Sequence, residues 1–425
     1  MVSIMAALKL HGVAAKELLP DLWEPVTDRK NEKDFPEDYK NKTAAVGEAI
    51  QAIEAATDLP EDDIDVNSFG TDEFLRMCRA VGAEPLIVIN VGMHAPRGER
   101  DAYRQEACDW LEYCNGPADS KWGKVRAANG HPEPYGVEFW EMDNEIWGLK
   151  PDDYAAVLRE FVPALKKIDP SITILACGSG QLGHMWGEGD TTVIRECADL
   201  IDYLSVHHHE DAAKYADGPA AGGFWRSLGE KIAVSKNPKA KLYVSEWNAQ
   251  STDWRTGFYA GGCLNMFERT SDVIGLAGPA LFLRHVSATA WDNAFINFDH
   301  RMWFPAPNYV VMKLWHDHFA VDRLELTGDL AGLSAVATRS ADGRNLFLKA
   351  VNATERPVDV RLEVKGDLAS GRATLKLVAP DSLSARNTLE KPDSVTAVDG
   401  KVERDGKALR FTLPRWSVGV VTVAK

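Results

Sequence analysis

The stretch PLIVIN, residues 85 to 90, decides how the chain is read. It is a short, unbroken apolar run between Pro85 and Asn90, the pattern of a strand buried on both faces. Just upstream, Thr71 is positioned to cap a helix whose apolar side is Phe74, Leu75, Cys78 and Val81 and whose stop is Gly82. Downstream the alternation repeats. A helix is expected at about 99–114, a strand at 137–141 and a helix at 152–168, with Pro163 able to kink it. Strands follow at 172–177, 202–207 and 241–247, then a helical stretch to about 270, a strand at 273–283 and a helix at about 307–319. Strands alternating with helices mean right-handed βαβ units and a parallel sheet, either a barrel or a doubly wound sheet. No GxGxxG or Walker loop follows any strand, so a dinucleotide or phosphate fold loses weight.

The flanks differ. Residues 1–63 are charged and helix-leaning, an atypical opening segment. After about 321, the segments LSAVATRS, NLFLKAVNA, VDVRLEV, ATLKLVA, ALRFTL and VGVVTVA alternate apolar and polar residues between Gly, Asp and Asn. They read as a small antiparallel sandwich. The expected organisation is therefore a barrel domain over 1–320 and a β-sandwich over 321–425.

Composition narrows the function. A net charge of −15 argues against a nucleic-acid partner, because little here would neutralise phosphates. No apolar run approaches the roughly 18 residues of a membrane span, and the opening MVSIMAALKLHG is a poor signal peptide. The six cysteines lack CxxC or zinc-finger spacing and read as free thiols of a reducing, cytoplasmic compartment.

In a barrel, chemistry gathers where the strands end. The first strand ends in Asn90. FWEMDNEIWG, residues 139–148, ends its strand in Glu141, Asp143, Asn144 and Glu145. DYLSVHHHE, 202–210, ends in His207, His208, His209 and Glu210, and KLYVSEWN, 241–248, in Glu246, Trp247 and Asn248. Glu145 and Glu246 are 101 residues apart, about three βα units, so they could face each other across the mouth. Paired carboxyls beside aromatic rings and carboxamides suit glycosidic-bond cleavage, one as proton donor and one as nucleophile or base. Either glutamate alone would read as a rim salt bridge; each following a buried strand, they read as a pair. Of the three histidines, only His207 and His209 share a face. They could ligate a metal, hydrogen-bond a sugar or serve the structure. The zinc signatures and the G-x-S-x-G elbow are absent. Glu141 and Asp143 read as supporting or rim groups, and Trp147 and Trp291 as candidate walls.

These residues carry a resemblance. NSFGTDEFLRMCRAVGAEPLIVINVG (67–92), YGVEFWEMDNEIWG (135–148), DYLSVHHHE, KLYVSEWN, FPAPNYVVMKLWHDHF (304–319), FLKAVNAT and the final WSVGVVTV together resemble glycoside hydrolase family 51, over roughly residues 65–425. The resemblance implies a (β/α)8 barrel with a C-terminal β-sandwich and a retaining hydrolase, most often an exo-acting α-L-arabinofuranosidase acting on arabinan- or arabinoxylan-type oligosaccharides of plant cell walls. Glu145 would be the general acid/base, Glu246 the nucleophile, and Asn144 the partner of the sugar 2-hydroxyl. Asn90, Trp147, His207, His209, Trp247, Asn248, Gln250 and Trp291 would complete the sugar site. No cofactor or metal is implied, and self-association is common in the family.

The chain also departs from the pattern. The Pro-Gly-Gly strand and the substrate-binding glutamate strand before it are missing, so the barrel is expected to lack, or to have changed beyond recognition, its first two strands. His209 replaces the tyrosine after the sixth-strand histidine. Gln250 stands where a tryptophan is usual, and Asp143 replaces the glycine before Asn-Glu. Two other readings follow: an endo-acting β-glucanase or β-xylanase of the same clan, with a cleft lined by Trp147, Trp247, Trp291 and Trp303, and a catalytically degraded carbohydrate-binding or assembly protein.

Overall fold

The computed structural model describes residues 69–211, 219–288 and 291–425, so the expectation for residues 1–63 lies outside the described residues. The chain forms two compact units, one ending at Pro85 and one running from Leu86 to Lys425.

In the first unit, helix α1 (Thr71–Val81) buries Leu75, Met77, Cys78 and Val81. Its N-cap is Gly70 rather than the expected Thr71; the Glu73 carboxylate accepts from the Gly70 N–H, so the cap comes from the third helical residue. Gly82 stops the helix in the left-handed region, as expected.

The second unit opens with strand β1 (Leu86–Ile89), helices α2 (Arg100–Asn115) and α3 (Lys121–Ala128), β2 (Phe139–Met142), α4 (Pro151–Ile168) and β3 (Thr173–Gly180). Helix α5 (Gly189–Cys197), β4 (Tyr203–Glu210), α6 (Pro219–Ala233), β5 (Lys241–Ala249), α7 (Trp254–Arg269) and β6 (Ile274–Pro279) follow. Strands β1 to β6 pair in chain order, all parallel, with a helix after each of the first five. This is the arrangement of a (β/α)8-type barrel, with six of its strands among the described residues. Covering is fullest in β3, where every residue after Thr173 is buried, as its apolar run requires. Trp140, Phe161, Leu165, Ile174 and Leu204 are fully buried, each contributing roughly 1.5–3 kcal/mol. Tyr154 of α4 staples this core: its hydroxyl donates to Met142 O (2.6 Å) and accepts from Cys177 N (2.8 Å), joining β2 to β3.

The expected strand 273–283 is shorter. It stops at Pro279, and β7 (Leu283–His285) joins β8 (Ile296–Phe298) and β9 (Trp303–Pro305) in a separate small sheet. Helix α8 (Pro307–Asp317) follows.

Strands β10 (Asp322–Leu324), β11 (Ser334–Arg339), β12 (Asn345–Asn352), β13 (Val358–Glu363), β14 (Arg372–Val378), β15 (Val398–Gly400), β16 (Glu403–Asp405), β17 (Ala408–Leu413) and β18 (Ser417–Ala424) complete the chain. They form a six-stranded sheet, β10-β11-β12-β18-β14-β15, and a three-stranded sheet, β13-β17-β16, both antiparallel. Alternate residues, among them Leu348, Leu375, Leu409, Phe411 and Val421, fill the core. The other face of the larger sheet meets α7 and α8, where Trp254, Phe258, Val311 and Trp315 pack on Val351, Val418 and Val420. A side chain at Gly261 of α7 would put its Cβ 2.9 Å from Val351, so glycine is what lets helix and sheet approach. Lys349, fully buried in β12, pairs with Glu268 of α7 across the same contact. All six cysteines are free thiols, five of them buried.

Candidate active site

β5 carries the first candidate. Val206 pairs with Val244, but the next residue, His207, pairs with Glu246, so Ser245 is an extra residue in β5. Such a bulge shifts every later side chain to the other face. It sets Glu246 on the side of Ser205 and His207, inside the curve of the sheet. Trp247 turns outward, 1 % exposed, against Phe267 and Phe295. Trp247 was expected at the sugar; the bulge is why it is core instead.

Glu145 sits three residues beyond β2, in a turn where Asp143 (φ +69°) and Glu145 (φ +51°) are both left-handed. Non-glycine residues seldom adopt this backbone, and it aims Glu145 back over the strand ends. Strands β2 and β5 are three steps apart in a sheet, roughly 14 Å if it were flat. Yet single oxygens of Glu145 and Glu246 and a nitrogen of His207 all lie within 4.8 Å of one another. The curl of the sheet brings them together.

Two imidazoles hold the pair. His207 Nδ1 is 3.2 Å from Glu145 Oε1 and 3.7 Å from Glu246 Oε2. His209 Nε2 is 3.2 Å from Glu246 Oε2. Burial alone would raise the pKa of Glu246, but the His209 hydrogen bond and the charge of both rings hold it below the ordinary carboxylate value. Glu246 is thus kept ionised. His209, expected at the sugar site, lies against Glu246. Its own backbone N–H donates to Gln181 Oε1 (3.2 Å). His208 points the other way, buried against Trp225, and burial lowers its pKa.

Trp147 stands edge-on to His207 at 5.8 Å, with its Nε1 donating to Gly178 O (3.0 Å). A Cβ on Gly180 would lie 2.6 Å from that indole, so glycine makes room for the ring. Trp291, 54 % exposed, stands edge-on to His209 at 5.2 Å. Each ring thus stands beside one of the two histidines that contact the carboxyl pair. Asn144 is exposed beside Glu145. Asn90 is exposed, its Oδ1 accepting from Gly92 N (2.7 Å), and with His94, Tyr103 and Asp143 it lines a cavity of about 660 Å³. Asn248 does not reach the site: it is 1 % exposed, its amide donating to Asn293 O (2.8 Å) and its oxygen accepting from Asn308 (3.2 Å). Buried carboxamides must find partners, and these neighbours supply them. Gln250 is exposed at the end of β5, its backbone N–H donating to Glu210 O.

Glu141 is the largest surprise. Read as a supporting or rim group, it is buried inside the sheet, hydrogen-bonded to Ser205, which in turn meets Ser245. Burial pushes its pKa from 4.5 up to about 7, against that hydrogen bond and the charge of His207, and with the help of Glu246 and Asp143. Tyr243, beneath Glu246, is pushed up first by burial and then by these two glutamates. Period-two spacing from His207 could have flagged Ser205. Nothing in the sequence marks Tyr243, which pairs with Ser205 just before the bulge, or Gln181, whose place depends on a left-handed turn at Gln181 and Leu182.

The arrangement holds oxygens of two carboxyls within 4.8 Å of each other, Glu246 favoured in its ionised form and Glu145 exposed, with an aromatic ring beside each of the two histidines that contact them. Comparisons with known proteins bear on the family of the chain. A family profile described as an alpha-L-arabinofuranosidase 1 domain matches residues 37–220, and one described as an alpha-L-arabinofuranosidase C-terminal domain matches 234–417. Alpha-L-arabinofuranosidase C of Emericella nidulans is 39 % identical over 406 residues, covering 83 % of this chain and 78 % of that protein. The intracellular exo-alpha-(1->5)-L-arabinofuranosidase of Acetivibrio thermocellus is 33 % identical over 209 residues, 45 % of this chain and 40 % of that one. Among solved structures, the thermostable GH51 alpha-L-arabinofuranosidase of Thermotoga petrophila superposes with a TM-score of 0.71 at 26 % identity, over 84 % of this chain and 79 % of that one.

Proposed function

The chain belongs to the α-L-arabinofuranosidases of glycoside hydrolase family 51, and we propose that Glu145 and Glu246 carry its reaction as a retaining double displacement. It is a glycoside hydrolase; the roles of its residues are our reading. A carboxylate oxygen of Glu246 attacks the anomeric carbon. The bond to the leaving oxygen breaks, and Glu145 gives that oxygen its proton. In the second half, Glu145 takes a proton from water, the water oxygen attacks the same carbon, and the bond to Glu246 breaks. The observation that carries this reading is the separation of the pair. Carboxylate oxygens within 4.8 Å are nearer the roughly 5–5.5 Å carboxyl separation of retaining enzymes than the roughly 6.5–9.5 Å of inverting ones, which supports the retaining reading.

Asn144 is proposed to hold the sugar 2-hydroxyl, and Trp147 and Trp291 to stack on or wall the ring. His207 and His209 hold the carboxylates; Asn90 and Gln250, exposed carboxamides at the ends of β1 and β5, are proposed as further sugar contacts. Trp247, which an endo-acting cleft would have needed, is buried. That supports the exo-acting reading, as does the exo activity named for the A. thermocellus relative. The substrate proposed is an arabinose-bearing oligosaccharide of plant cell-wall type, met in the cytoplasm. A catalytic domain over 1–320, a β-sandwich over 321–425 and self-association complete the proposal.

The test is a panel of p-nitrophenyl glycosides with the product anomer followed by proton NMR. Release from the α-L-arabinofuranoside, with the α anomer formed first, is expected. Glu246→Ala should lower kcat by about a thousandfold or more. No release across the panel, with Glu246→Ala indistinguishable from the parent, would return the chain to the degraded reading; β anomer first would overturn retention.

A further inference from the structure

Asp143 has no role in the reaction above, yet it governs the turn that presents Glu145. The turn is left-handed at Asp143 and again at Glu145, with Asn144 between them. A side chain on such a turn is aimed only as well as the turn is held. Asp143 holds it from two sides. Its Oδ1 accepts from the backbone N–H of Asn144 (2.8 Å), and its Oδ2 accepts from the backbone N–H of Val91 (2.9 Å), 52 residues away at the exit of β1. Its own N–H donates to Glu141 O (3.2 Å), tying the turn back to β2. A glycine would take the left-handed backbone more readily but could make neither carboxylate bond. Bonds to an ionised acceptor are the stronger kind, and these two converge on the residue next to Asn144 and Glu145.

We propose that Asp143 is a positioning residue for the proton-transfer half of the reaction: its carboxylate latches the Asn144–Glu145 turn to the exit of β1 and holds the Glu145 carboxyl at the leaving oxygen. This rests on Glu145 being the acid/base. A latch of this kind matters in proportion to how much proton the leaving group needs. A dinitrophenyl group departs almost unaided; an alkyl alcohol does not.

The experiment measures kcat/KM on dinitrophenyl and methyl α-L-arabinofuranosides for the parent chain, Asp143→Gly, Asp143→Asn and Glu145→Gln, with circular dichroism to confirm folding. Asp143→Gly should lose at least about tenfold more on the methyl than on the dinitrophenyl substrate, since a small misplacement of a catalytic group costs that much or more. Asp143→Asn, with one acceptor oxygen left, should fall between it and the parent; if the glycine variant does not fold, this variant decides. Equal losses on both substrates, or none, would overturn the latch. Glu145→Gln separates the two ideas. If it is selective and the Asp143 variants are not, only the latch fails; if it is itself unselective, the acid/base assignment falls and takes the latch with it.

Discussion

Nδ1 of His207 lies 3.2 Å from Oε1 of Glu145, and the same nitrogen is 3.7 Å from Oε2 of Glu246. One buried ring atom therefore addresses both carboxylates. His207 is among the groups that hold Glu246 below the usual carboxylate value. Replacing it with Asn removes a lowering influence, so the Glu246 pKa must rise. The acid limb of the kcat/KM profile, which follows ionisation of Glu246, is expected to move to higher pH, with a loss of about a hundredfold at its plateau. An acid limb at the parent's pH would refute the assignment.

Glu141 makes the fold sensitive to pH in the opposite sense from a salt-bridged carboxylate. Its folded pKa of about 7 lies above the ordinary 4.5. Between these values the folded chain keeps a proton that the unfolded chain has released. Stability should fall as pH rises from about 4.5 through 7 and then level off, by on the order of 3 kcal/mol. Glu141→Gln keeps the shape without the charge. It should be more stable than the parent at pH 8 and little changed at pH 4.5, as read by urea unfolding at both. The same difference at both pH values would show that Glu141 does not titrate in this way.

Gly180 leaves the space that Trp147 occupies. Gly180→Ala sets a methyl 2.6 Å from the indole, so the ring must move off His207. A fall in kcat/KM of about ten- to a hundredfold is expected, without loss of the cooperative thermal transition. Unchanged kinetics would mean that Trp147 does not wall the sugar.

Lys349 and Glu268 couple α7 to the larger antiparallel sheet through a buried pair. Burial lowers the pKa of Lys349 and raises that of Glu268, each opposed by the partner. Glu268→Ala would leave a fully buried ammonium unpaired and should cost about 3–5 kcal/mol. The double variant Glu268→Leu, Lys349→Met should recover most of it. Denaturant midpoints of the three chains provide the check, and a silent Glu268→Ala would show the pair to be dispensable.

Much of this molecule is legible in the order of its residues. The parallel strands are marked by apolar runs, most fully β3, because a strand covered on both faces must be largely apolar. The β-sandwich is marked by alternation, because each of its sheets turns one face to the core. Glu145 and Glu246 stand out because charge at the end of a buried strand has few structural uses.

What residue order cannot settle is facing. Trp247 and Asn248 follow Glu246 directly, and spacing alone leaves both as candidates. The extra residue Ser245 reverses the alternation, sending Trp247 into the core, while Asn293 and Asn308 from later segments take up the Asn248 carboxamide. Glu141 is one more acid in an acidic run until the sheet closes over it. Nothing in the order of residues says that the His209 ring meets Glu246; the register of β4 against β5 sets it there.

The chain's own residues therefore determine which chemistry is available: two carboxyls, imidazoles, carboxamides and rings at the ends of buried strands. Tertiary structure alone decides that the carboxyls meet, that Glu246 is kept ionised and that Glu141 holds its proton past the ordinary carboxylate range. Those outcomes rest on distance and burial, which a linear order of residues does not contain. They arise when a sheet curls to bring β2 and β5 together and one bulged residue turns a strand over.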